Sequence, residues 1–63
     1  MIYRTYIEGN PQPVDAGYDE RGMRDAAKRR SREHPRLWVQ VRSADDVNGP
    51  ETVIASYRRG MAT

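Results

Sequence analysis

The chain has no cysteine, a single histidine (His34), a single lysine (Lys28) and no long apolar run. Each absence removes a class of protein. Without cysteine there is neither a disulfide framework nor a zinc–thiolate site. With one histidine, a multi-histidine metal site is also excluded. No stretch approaches the roughly 20 apolar residues that cross a bilayer. Residues 1–9, MIYRTYIEG, carry Arg4 and Glu8 and lack the apolar core of a signal peptide. These absences predict a soluble, cytoplasmic protein with no metal, no cofactor and no membrane partner.

With 63 residues, the chain holds one domain, residues 1–63. A chain this short buries only about 60% of the surface its unfolded form exposes, so its stability margin is narrow. With disulfides and metal removed, oligomerisation or a larger partner is the remaining support.

The net charge of +2 argues only weakly for nucleic acid, but the charge is unevenly placed. From Arg21 to Arg36 there are seven cations and two acids; the rest of the chain has four cations and seven acids. One basic element therefore sits in mildly acidic surroundings.

IYRTYIE (2–8) is rich in β-branched and aromatic residues and reads as a strand. GNPQPVDAG (9–17), with two prolines and two glycines, reads as a loop anchored by Val14. Asp19 is a favoured N-cap, with Glu20 in the first turn beside the positive end of the helix dipole. Tyr18 and Met23 have the spacing of a hydrophobic staple. Met23, Ala26, Ala27 and the stem of Arg30 form one stripe, and Pro35 ends the helix. RLWVQVRS (36–43) and TVIASYR (52–58) read as two more strands about a turn at ADDVNGPE (44–51). The tail from Gly60 to Thr63 is expected to fray.

This pattern predicts an α+β domain of order β-α-β-β. It should form a three-stranded antiparallel sheet, spatial order 1-3-2, with the helix on one face. The order 1-2-3 with strands 1 and 2 parallel is the alternative. Leu37, Val39 and Val41 should face the helix with Val53, Ala55, Tyr57, Tyr3 and Ile7. The opposite face would then carry Arg4, Tyr6, Trp38, Gln40, Arg42, Ile54, Ser56 and Arg58, with Ile2 at its end. Trp, Tyr and Arg are the residues enriched at binding hot spots, so this face is the candidate contact surface. Trp38 and Ile54 would anchor it and Arg42 and Arg58 would supply charged hydrogen bonds. Arg24, Lys28 and Arg29 on the helix would guide the approach. The plainer expectation is that the 9–17 loop or the Met61 tail folds over Trp38.

Catalysis is poorly supported. His34 lies beside proline at a helix end, where capping is its simplest role. Asp45 and Asp46 are adjacent in a loop, so their carboxylates diverge. The expected function is a small non-enzymatic protein-binding module, self-associating or modulating a larger partner. Single-stranded nucleic-acid binding through the aromatic and arginine face is the alternative. In length and β-α-β-β order the chain loosely resembles the short phage proteins that inhibit host enzymes. That resemblance, carried by no shared motif, implies a modulator acting by occupancy.

Overall fold

Asp19 starts the helix as its sequence position predicts. Its backbone is extended and its side chain accepts a hydrogen bond from the Gly22 N–H at 3.2 Å. A Cβ at Gly22 would stand 2.7 Å from the Asp19 carboxylate, so a larger residue there would make the capping side chain shift. The helix α1 runs Glu20–Glu33 and ends at His34, whose backbone N–H still reaches the Arg30 carbonyl. Pro35 follows and has no N–H with which to extend the helix, and the chain leaves it in a tight turn in which the Leu37 N–H donates to the His34 carbonyl at 3.0 Å. The staple does not form: Tyr18 is 78% exposed.

The computed structural model describes all 63 residues. It contains α1 and five strands: β1 (Ile2–Ile7), β2 (Asp15–Gly17), β3 (Val39–Ala44), β4 (Thr52–Arg58) and β5 (Met61–Ala62). They form one antiparallel sheet of order β2-β1-β3-β4-β5. The α+β class with one helix is therefore correct, but the sheet has five strands rather than three, and the order 1-3-2 is wrong. The 52–58 strand lies outside the 39–44 strand, not between it and β1.

The reason is a matter of parity. β2 turns the chain back beside β1 before the helix begins, pairing Tyr3 with Gly17 and Thr5 with Asp15. The helix reverses the chain a second time and the turn after it a third, so β3 arrives antiparallel to β1 and pairs with it directly, from Ile2↔Ala44 to Ile7↔Val39. Without β2 the crossover would deliver β3 parallel to β1. An all-antiparallel sheet would then need the last strand between them.

The tail does not fray either. Arg59 and Gly60 both have positive φ, 56° and 78°, the backbone of a two-residue type I′ hairpin turn. The turn folds β5 back on β4, pairing Tyr57 with Ala62 and Arg58 with Met61. The Gly60 N–H donates to the fully buried Ser31 hydroxyl at 2.8 Å, which itself donates to the Lys28 carbonyl. The turn is thereby fastened to the last turns of α1.

A β-bulge displaces one expected face. β3 and β4 pair Val41 with Ala55 and then Arg42 with Val53, which leaves Ile54 as an extra residue. An inserted residue reverses which side every later side chain takes. Ile54 accordingly packs with Ala55 against the core, while Val53, expected inward, is 50% exposed.

The core comprises Ile7, Met23, Ala27, Val39, Val41 and Tyr57, flanked by Tyr3, Val14, Leu37, Ile54 and Ala55. Thr5 is fully buried beside them and its Oγ1 has no hydrogen-bond partner. An unpaired buried hydroxyl is unfavourable. Thr5→Val keeps the shape and removes it, so this variant should gain about 1 kcal/mol. A urea midpoint that rises at unchanged slope is the expected reading; an unchanged or lower midpoint would contradict it.

Candidate functional site

Register brings two like charges together on the face away from the helix. Arg4 on β1 stands directly opposite Arg42 on β3. Like charges in that position repel. The fold answers with Glu51, which ends the β3–β4 loop and reaches across β3 toward β1. Arg4 Nη1 donates to Glu51 Oε2 at 2.8 Å, and Arg42 Nη1 stands 3.8 Å from Oε1. The Tyr6 hydroxyl donates to Glu51 Oε2 at 2.8 Å. Arg4 Nη2 also donates to the Val47 carbonyl at 2.8 Å, which pins the loop over the face.

The Arg42 guanidinium lies 4.3 Å from the centroid of the Tyr6 ring, a cation–π contact. It also donates to Gln40 Oε1 from Nε at 3.3 Å and from Nη2 at 3.1 Å. Arg4, Tyr6, Gln40 and Arg42 therefore sit on one face, as their alternation predicts. They are held by one another and by Glu51, and Tyr6 is only 9% exposed. The 45–51 loop covers Arg4 and Tyr6 through the Glu51 carboxylate and the Val47 carbonyl.

The ionisation of the cluster follows its geometry. Burial alone would push the Glu51 carboxyl up. The hydrogen bonds from Arg4 and Tyr6, with the charges of Arg4 and Arg42, outweigh burial and hold it below its ordinary value. Burial first, and then the adjacent Glu51, push the Tyr6 hydroxyl up. The hydrogen bond to Glu51 raises Arg4.

Trp38 lies at the margin of the same face, one residue before β3. Its backbone N–H donates to Glu8 Oε1 at 3.1 Å, and its carbonyl accepts from the Glu8 N–H at 3.0 Å. The same carboxylate is 3.6 Å from Arg58 Nη2. The indole is half-buried. Ile54 is not on this face, so it is separated from Trp38 by the sheet.

On the helix, Arg24 is committed to its own chain. Its Nε donates to Glu20 at 2.9 Å and its Nη2 lies 3.5 Å from the Ile54 carbonyl. Arg30 pairs with Asp15 on β2 at 3.1 Å. The ion pairs engage five cations in all: Arg4, Arg24, Arg30, Arg42 and Arg58. Arg21, Lys28, Arg29, Arg32, Arg36 and Arg59 are exposed and have no acidic partner.

Five of these six, all but Arg21 in the first turn of α1, lie at one end. Ile7, Val39 and Tyr57 lie level across the sheet, and the Arg59–Gly60 turn rests on Ser31 and Arg32. The end of α1, the start of β3 and the β4–β5 turn thus share one end of the molecule. Lys28, Arg29, Arg32, Arg36 and Arg59 gather there with Trp38. Of the acids outside ion pairs, Asp19, Asp45 and Asp46 lie at the opposite end. Sequence reasoning marked Lys28 and Arg29 but missed Arg32, Arg36 and Arg59. A turn taken for a frayed tail concealed the last of these.

The surface has no concave pocket, no cluster of three or more metal-ligating side chains, and no helix long and apolar enough to cross a membrane. Compared with known family models, curated proteins and solved structures, the chain matches none of them.

Proposed function

We infer that the chain is a small non-enzymatic module that binds a protein partner, another copy of itself included. The carrying observation is the set of exposed cations left without acidic partners, five of them at one end beside Trp38. Exposed, unpaired charge adds little to a fold, whereas complementary charge steers and orients association. A half-buried tryptophan at the edge of such a patch supplies apolar area of the kind that anchors interfaces. The centre of the sheet face fits this role less well. Arg4 and Arg42 share the one counter-charge of Glu51, and the guanidinium over Tyr6 blocks the ring face on which a base would stack. That also weakens single-strand binding through Tyr6.

The test is affinity capture from host lysate with and without nuclease treatment, comparing the wild-type chain with Lys28→Glu/Arg29→Glu and with Trp38→Ala. A protein retained by the wild type and lost by both variants is the expected outcome. Retention that disappears on nuclease treatment would hand the site to nucleic acid. Equal retention by all three chains would remove this surface from the reading.

A further inference from the structure

The geometry points to the basic end as a docking surface for a short acidic segment of a protein partner, with Arg59 as a docking residue held in place by the fold. This rests on the protein-binding reading above and specifies its partner. Three observations converge. Arg59 has φ of +56°, a conformation in which a side chain with a Cβ is disfavoured and glycine, asparagine or aspartate is the usual choice. Such strain persists where surrounding structure enforces it, and it concentrates at functional positions.

The enforcement is visible. Gly60 is fastened to buried Ser31 at 2.8 Å and lies so close to Arg32 that a Cβ would come within 2.6 Å of Arg32 Nε. The turn is therefore set against the end of the helix, which places Arg59 next to Arg32 and at the same end of the molecule as Lys28 and Arg29. An asparagine would suit this turn better, yet the chain carries a fifth cation there.

Complementary charge calls for a polyanion, and the shape of the surface favours a short one. The patch is an end face of a body measuring 30 × 23 × 17 Å, and Glu8 and Glu33 interrupt it. A long phosphate backbone running past this end would meet those acids, whereas a few acidic side chains can be placed between them.

The experiment is fluorescence anisotropy of a labelled short peptide of alternating aspartate and glutamate, at low and high salt, with a melting curve for each variant. The wild type should bind, and salt should weaken the binding. Arg59→Asn should weaken it by about fivefold while raising the melting midpoint by about 4–8 °C. Arg59→Lys should hold both within error, and Arg21→Gln, an unpaired cation outside the patch, should change neither. A stabilised Arg59→Asn that binds the peptide as the wild type does would overturn the proposal. So would tighter binding of a short DNA duplex than of the peptide. Peptide binding that fails while lysate capture succeeds would reject the acidic-segment surface and leave the binding module standing.

Discussion

Ala27→Leu should cost about 3 kcal/mol, a large part of the stability available to a domain of this size. Ala27 is fully buried at the centre of α1, against Met23 on its own helix and Val39 and Val41 on the sheet. The small side chain sets how closely the helix lies on β3. Leucine has nowhere to go, because Val39 and Val41 are themselves fully buried. The helix must lift, and as it lifts the bond from Ser31 to the β4–β5 turn lengthens. Thermal melts followed by far-ultraviolet circular dichroism should show a midpoint lower by more than about 10 °C. A shift of a few degrees or less would mean that the helix–sheet interface is looser than these contacts describe.

Glu51→Ala should cost about 2 kcal/mol near neutral pH. It leaves Arg4 and Arg42 facing each other with no counter-charge, removes the acceptor from the Tyr6 hydroxyl and leaves the 45–51 loop tied to Arg4 only through the Val47 carbonyl. Glu51→Gln keeps an acceptor for Tyr6 and should cost less. The pH dependence separates charge from shape. The Glu51 carboxyl lies below its ordinary value in the fold, so the folded state binds its proton less readily than the unfolded chain does. The resulting stability is present above the ordinary carboxylate value, about pH 4, and is lost as pH falls through the lower folded value. The wild type should therefore lose stability over that acid range, and Glu51→Gln should lose visibly less. Parallel acid profiles for the two chains would show that the charge on Glu51 does not stabilise the fold.

The helix was legible because its signals are local: Asp19 opens it, the Met23–Ala27 spacing orients it and Pro35 closes it. The aliphatics of 37–41 were legible for the same reason. What escaped was non-local or too short to carry a pattern. Three residues, DAG, cannot show an alternation, and β2 exists because Thr5 and Tyr3 lie beside it. Missing β2 miscounted the chain reversals, and the wrong strand order followed. The bulge left no mark either, since VIAS alternates acceptably with either valine or isoleucine facing inward.

The site was legible by face and not by state. Alternation put Arg4, Tyr6, Gln40 and Arg42 on one side, but nothing local tied them to Glu51, 47 positions from Arg4. The only available hint was the like-charge pair itself. Two arginines opposite each other require an acid, but that is readable only once β1 and β3 are known to be neighbours.

That neighbourhood also fixes the order in which the chain can acquire structure. β3 is the middle strand, and its β1 partner lies more than thirty residues earlier, from Ile7↔Val39 to Ile2↔Ala44. During synthesis, the β1–β2 hairpin and α1 both emerge before the strand on which they close. A two-stranded hairpin is marginal alone, and so is an isolated helix of 14 residues. Neither can wait in folded form. Stable packing therefore waits for residues up to Ala44, because hairpin and helix both close on the central strand. Folding is then slowed by closure of that long loop rather than by any local step.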